Sequence, residues 1–230
     1  MAKHTYDFPK ADHTVDPVVF GYDPETASLK ILLIRRGRKG EPFFESWALP
    51  GGFLDMDETL EKAAHRELCE ETGLKVAHLE QLATFSRVDR DPRGRVLSTA
   101  FLALVRPTDV KGMDDATEAR WFDVTKLPPL AFDHAEIIGV GLQRLRSKVR
   151  WEPIGINLLP ERFAIPDLRR LYEAILGYPI DSRNFRSRVG KLDVLVEDIT
   201  EMRHGQRTQL YRFSPRKYRT MQKQGYVFQI

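Results

Sequence analysis

Residues 52–74 read GFLDMDETLEKAAHRELCEETGL, and the spacing of their acids decides how this chain folds. On a helix of 3.6 residues per turn, Leu60, Ala63, Ala64 and Leu68 share one broad stripe, the face expected to pack inward. Glu67 and Glu71 fall inside that stripe, one turn apart, and Glu70 lies on its edge. Lys62, His65, Arg66 and Cys69 take the far side. Carboxylates that continue a buried face are costly unless something neutralises them. Groups at i, i+3 and i+4 converge, and their hard oxygen atoms suit Mg2+ or Mn2+. Gly73 supplies a left-handed helix stop, and Pro50-Gly51-Gly52 a tight backbone entry.

Working outward, residues 13–22 alternate towards the apolar run Val18-Val19-Phe20 and read as a strand. Residues 29–34 are a second, nearly all-apolar strand, with a hairpin turn across Asp23-Pro24-Glu25-Thr26. Trp47-Ala48-Leu49 leads into the glycine-rich entry of the acidic helix. Further strands are expected over 79–88, 96–105 and 116–124, the first two flanking a loop at 89–94. Residues 135–149 form an amphipathic helix with Ile138, Leu142, Leu145 and Val149 on one side. Strands around an embedded helix predict an α/β sandwich.

The pattern changes at 150–155, a proline-bearing stretch that reads as a hinge. Pro166 opens a helix running to about Leu176, with Leu168, Leu171, Tyr172, Ile175 and Leu176 on one face and Gly177 at its end. Asp181 or Ser182 caps a second helix with an apolar seam of Phe185, Val189 and Leu192 and a basic surface. Two β-prone runs, 192–199 and 208–213, flank the polar turn 203–207. Helix, short turn, basic helix and basic-tipped hairpin read as a winged helix-turn-helix. Its second helix would enter a major groove, with Arg183, Asn184, Arg186 and Lys191 near bases or phosphates and the hairpin on the backbone. Arg203, Arg207, Arg216 and Lys217 would supply salt-sensitive phosphate attraction.

Charge supports this division. Residues 151–230 hold 14 basic and 9 acidic residues, a net +5, whereas the rest holds 22 against 24, a net −2. That asymmetry points to a separate, anionic partner for the C-terminal part. No run approaches the roughly 18 apolar residues of a membrane span, and the first ten residues lack the apolar region of a signal peptide. The single cysteine, Cys69, excludes an internal disulfide and fits a reducing cytoplasm.

The complete series G-x5-E-x7-R-E-L-x-E-E-x-G-L runs from Gly52 through Glu58, Arg66, Glu67, Glu70 and Glu71 to Leu74. It resembles the signature of the Nudix hydrolases, with every position filled. The resemblance implies a loop–helix–loop held against a mixed sheet, and hydrolysis of a nucleoside diphosphate linked to another moiety. By the same match Glu67 and Glu71 are the main metal ligands, with Glu70 adding to or tuning the site. Arg66 and Glu58 are a buried pair that orients the glutamates, and Gly52 gives a backbone carbonyl to the metal. The general base stays unassigned.

A Nudix domain over 1–150 followed by a basic winged helix over 151–230 resembles the Nudix-related transcriptional regulators. Ala131-Phe132-Asp133-His134, Ile156-Asn157-Leu158-Leu159-Pro160 and Asn184-Phe185-Arg186 carry that likeness. It implies a homodimer that binds operator DNA and senses ADP-ribose or a related nucleotide sugar or sugar phosphate. Many such regulators have lost motif glutamates; this chain keeps them all, so hydrolysis of the effector with Mg2+ is expected too. The alternative is a metal-dependent pyrophosphatase whose C-terminal domain only buttresses a dimer. For the ligand, Arg35, Arg36 and Arg38 leave the second strand, and Arg87, Asp89, Arg90 and Arg93 surround the 89–94 loop. Phe132 is placed to stack on an adenine, Asp133 to cap the following helix, and His134 to be a packed histidine.

Overall fold

The computed structural model describes residues 7–191, 193–203 and 205–224. Leu192 of the expected seam and His204 of the expected hairpin turn lie outside them, as do most of the N-terminal ten residues. The chain divides into two compact units: Met1–Phe20, Ile31–Ala103 and Thr108–Gly141 form one, and Gly21–Lys30, Leu104–Pro107 and Leu142–Ile230 the other.

The expected strands form one sheet. Strand β1 (Asp12–Asp23) buries Val15, Val18, Val19 and Phe20, and β2 (Ser28–Arg36) buries Leu29 and the run from Ile31 to Ile34. Asp23 closes the turn between them, accepting from the Glu25 amide at 3.0 Å and the Thr26 hydroxyl at 2.6 Å, as aspartate does in tight turns. Next come β3 (Trp47–Ala48), β4 (Gly52–Phe53) and helix α1 (Leu60–Thr72). They are followed by β5 (Glu80–Phe85), β6 (Val96–Leu104) and β7 (Ala116–Asp123). The order across the sheet is β3-β2-β1-β6-β5, with β4 also paired to β1 and β7 to β2. β5 ends earlier than the sequence suggests. The guanidinium of Arg95 takes the carbonyls of Ser86 and Arg87 at 2.8 and 3.2 Å, so they do not continue the ladder.

Helix α1 begins and ends where its caps put it. The Thr59 side chain accepts from the Lys62 amide, and Gly73, at φ 71°, donates its amide to the Cys69 carbonyl. Ala63, Ala64, Leu68, Glu71 and Thr72 are its buried residues, so the apolar stripe does carry a carboxylate inward. Helix α2 (His134–Lys148) follows, burying Ile137, Ile138 and Leu145.

After a 3-10 turn at Ile154–Leu158, α3 (Ile165–Leu176) buries Leu168, Leu171, Tyr172 and Ile175 and stops at Gly177, φ 82°. α4 (Ser182–Gly190) is capped by Asp181 and buries Phe185 and Val189; Tyr172 and Phe185 meet edge-on at 5.6 Å. Strands β8 (Leu195–Arg203) and β9 (Gln206–Phe213) pair antiparallel from Leu195↔Phe213 to Arg203↔Gln206. The hairpin connection is therefore tighter than the expected 203–207 turn. Gly205, at φ 77°, supplies the left-handed residue such short connections require. A further helix, α5 (Pro215–Lys223), capped by Ser214, was not anticipated by the sequence pattern. It has no buried residue.

Candidate functional site

One end of α1 faces a pocket of about 330 Å3. The backbone entry to α1 shapes this wall. Gly51 lies at φ 148°, and a Cβ there would sit 2.1 Å from the Val15 carbonyl oxygen. A Cβ on Gly52 would sit 2.3 Å from Glu67 Oε1, so glycine is what lets the glutamate carboxylate lie against the chain. The Gly51 amide donates to Glu71 Oε2 at 2.8 Å.

Arg66 does not stay on the far side of the helix. Its guanidinium bends back to donate to Glu58 (Nη2–Oε1 2.6 Å), Glu67 (Nη1–Oε1 2.7 Å), Glu70 (Nη1–Oε2 3.1 Å) and the Phe53 carbonyl (3.1 Å). These bonds, Glu58 foremost, raise the arginine's proton affinity, and they hold the Glu58 carboxyl below the usual range. Burial raises Glu67, against the pull of Arg66. Burial also pushes Glu71 up to about 8, opposed by the Gly51 hydrogen bond.

These groups suit a hard divalent cation in type, because burial has raised two carboxylates whose charge only a cation at the site would stabilise. Their placement departs from the expected convergence. Among the described residues no three His, Cys, Asp or Glu side chains are gathered around a metal position, and one nitrogen of Arg66 bridges Glu67 and Glu70.

The opposite wall rests on a buried ionic network. Arg90 grips Asp133 with two bonds, Nε–Oδ2 2.9 Å and Nη2–Oδ1 2.7 Å, and stands 3.5 Å from Asp16. The Ser98 hydroxyl donates to Asp16. His134 is buried, accepts the Leu49 amide on Nδ1 at 2.8 Å and turns Nε2 towards Asp16 at 3.7 Å. Burial lowers its pKa. This is the packed histidine expected, and its Nδ1 bond places the neutral ring's proton on Nε2. The Asp133 carboxylate serves Arg90 rather than the expected helix cap.

Phe132 adopts φ 51°, a backbone region that non-glycine residues occupy only when their surroundings impose it. The Arg90–Asp133 pair fixes the next residue. The Phe132 ring lies 4.6 Å from Phe43, with Arg36 at 5.0 Å and Arg93 at 5.5 Å over its face. Arg93 also covers Phe53 at 5.0 Å and is held by Asp91.

Of the expected ligand residues, Arg36, Arg90 and Phe132 line the pocket. Arg90 is spent on Asp133 and is 3% exposed at its side chain, which removes it as a free phosphate contact. Arg35 is absent from the lining and donates to the Glu45 carbonyl, because consecutive strand residues point to opposite faces. Arg87 is also absent; it pairs with Asp89 and Glu136 on the surface. Sequence reading missed Asp16, whose signal was a lone acid inside an apolar strand. It gave Arg93 no role apart from its neighbours.

In the second unit Arg183, Asn184, Arg186 and Lys191 are all exposed. No acid pairs with Arg183, Arg186 or Lys191 among the described residues. The hairpin differs. Arg203 is bound to Glu201 and, at 2.9 Å, to Asp167, and is not the free backbone contact expected; Arg207 is exposed.

Residues 13–139 match the NUDIX domain model and residues 155–213 the model of the NrtR DNA-binding winged helix domain. The chain is 34% identical over 218 residues to the ADPR responsive transcriptional repressor NtrR of Acinetobacter baylyi, covering 92% of this chain and 86% of that protein. It is 50% identical over 123 residues to the ADP-ribose pyrophosphatase of Methanocaldococcus jannaschii, covering 54% of this chain and 68% of that one. Shewanella oneidensis NrtR, solved in complex with a 27mer DNA, superposes with a TM-score of 0.75 at 31% identity, over 94% of this chain and 96% of that one.

Proposed function

Because the chain belongs to the Nudix family, in the branch that carries an NrtR-type winged helix after the hydrolase fold, we propose that it is a DNA-binding transcriptional regulator whose pocket reads ADP-ribose or a related nucleotide sugar. One observation carries the reading: a pocket of paired carboxylates, arginines and an aromatic platform shares a chain with a helix of exposed arginines. Phe132 is the aromatic ring placed to meet a base, and Arg36 and Arg93, which lie over that ring, supply positive charge for a diphosphate. α4 enters the major groove, with Arg183, Asn184 and Arg186 towards the bases. The chain acts as a homodimer, so that two α4 helices read two half-sites. Its domains are assigned as 1–150 and 151–230. Among the described residues no helix is long and apolar enough to cross a membrane, and a DNA-bound role assigns the protein to the cytoplasm.

A second reading, retained hydrolysis, is favoured by the complete motif and by the likeness to an ADP-ribose pyrophosphatase. Glu67, Glu70, Glu71 and the Gly52 carbonyl would hold Mg2+ or Mn2+, which when bound neutralises the diphosphate and acidifies a water. Arg66 and Glu58 then serve as positioning residues, because Arg66 already ties Glu67 and Glu70 together. A gel shift on the DNA upstream of its own gene, across a salt series, tests the regulator. No shift at low salt with folded protein would discard it. Incubation of the protein with ADP-ribose and Mg2+, followed by product analysis, tests hydrolysis: AMP and ribose 5-phosphate support it, and intact ADP-ribose excludes it.

A further inference from the structure

The basic charge of the winged-helix unit is not spread as a winged helix read from sequence would have it. β8, over residues 195–203, carries three acids, Glu197, Asp198 and Glu201, against one base, Arg203. The hairpin's arginines largely answer those acids: Arg203 binds Glu201 and Asp167, and Arg212 binds Asp198 at 3.2 Å. Two of the hairpin's three arginines, Arg203 and Arg212, are thus paired before any partner arrives, and Arg207 stands exposed. α5 is the opposite case. Residues 215–223 hold four bases, Arg216, Lys217, Arg219 and Lys223, and no acid. The winged-helix family match ends at residue 213, just short of this helix.

α5 is held in place rather than trailing. The Ser214 amide donates to the Val194 carbonyl at 2.8 Å, and Tyr218 rests against Phe213 at 5.9 Å. Lys217 reaches Asp193 at 2.7 Å. This docking brings α5 beside the residue that ends α4. Lys191, Arg216 and Lys217 line one groove of about 670 Å3, with the hydroxyl-bearing Ser214 and Thr220 and a single acid, Asp193. Lys191, Arg216 and Lys217, the last bonded to Asp193, leave the open groove with a net positive charge, which matches a run of phosphodiester oxygens.

We infer that this α4–α5 groove is a second nucleic-acid contact, a clamp on the sugar–phosphate backbone that takes the place of the hairpin. The inference rests on the DNA-binding reading above and deepens it. The clamp carries no base readout, since its charges meet groups common to every sequence.

The test uses the full chain and two duplexes, one from upstream of its own gene and one of unrelated sequence, with affinity measured from 50 to 300 mM salt. The double variant Arg216→Gln, Lys217→Gln is expected to weaken both duplexes equally, by roughly five- to tenfold per side chain near 0.1 M salt. The log–log salt slope should fall by about 0.9 for each phosphate that is no longer neutralised. Arg216→Lys, which keeps the charge, should keep the slope and also controls for folding. Unchanged affinity and slope in the double variant overturn the clamp. So does a loss confined to the specific duplex, which would make these residues base readers. So does a loss of binding to a polyglutamate peptide with both duplexes unaffected, which would give the groove to an acidic protein. If the unaltered chain binds neither duplex at 50 mM salt, the DNA-binding reading falls and the clamp with it; if it binds but only α4 variants respond, the clamp alone falls.

Discussion

The two ends of this chain use charge in opposite ways. In the Nudix domain charge is turned inward: Glu71 is buried, Glu67 partly so, and Arg90 pairs with Asp133 out of water. In the winged-helix domain the arginines of α4 stand in solvent, without acidic partners among the described residues. Buried charge must be matched atom by atom, because an unpaired ion in a low-dielectric interior is costly. Exposed charge needs only the right sign, since water and salt screen it. Inward charge is therefore read from geometry, outward charge from its partner, and the two should respond differently to substitution.

The sharpest break in that comparison comes from the inward side. Arg90→Ala leaves Asp133 and Asp16 buried without their cation, and should destabilise the protein by about 3–5 kcal/mol in urea unfolding. A loss under 1 kcal/mol would mean that the network is wetter than its geometry indicates. Glu71→Gln should keep the fold, since burial already favours the neutral carboxyl. It should also remove metal-dependent cleavage of ADP-ribose by about a hundredfold or more, the order expected when a charge-stabilising group is lost. Undiminished product would take Glu71 out of the chemistry.

The outward side should give smaller, additive effects. Arg183→Ala should cost about 1–3 kcal/mol of operator affinity if it reads a base, with no change in melting temperature. A matching loss on unrelated DNA would reassign it to phosphate. Phe132→Gly removes the platform ring while relieving a left-handed backbone. ADP-ribose affinity should fall by about 1 kcal/mol in calorimetry, with stability nearly unchanged. Equal affinity would remove Phe132 from the ligand site.

The smallest effect expected is a pH slope. The folded His134 is held below its ordinary pKa by burial, so below that value the unfolded chain binds the extra proton. Stability should therefore fall as pH drops through about 6.5 and be fully present above it. In His134→Gln that part of the slope should flatten; an identical slope would assign it to other groups.

How far these features could be read in sequence follows the same contrast. Gly73 ends α1 where the sequence placed its stop, because capping is local chemistry. α3 and α4 were equally legible from their apolar faces. What escaped was non-local or hung on orientation. Arg90 meets Asp133 43 residues away, and nothing in either neighbourhood announces the other. Arg35 and Arg36 are adjacent, and only the pleat of β2 decides which one enters the pocket. Arg66 was placed by a helical wheel that tracks Cβ direction, whereas its long side chain returns to three glutamates. α5 escaped because a nine-residue, mostly polar helix with only Tyr218 and Met221 as its apolar pair is too short to show a clear period.

A regulator of this kind needs its inward-facing pocket and its outward-facing basic surface coupled in one molecule. Coupling is read from operator affinity by fluorescence anisotropy, with and without saturating ADP-ribose, calorimetry in the same buffer verifying that the ligand is bound. The dissociation constant is expected to change by at least about fivefold, the lower end of ordinary coupling energies. The same affinity with the ligand demonstrably bound would contradict that coupling.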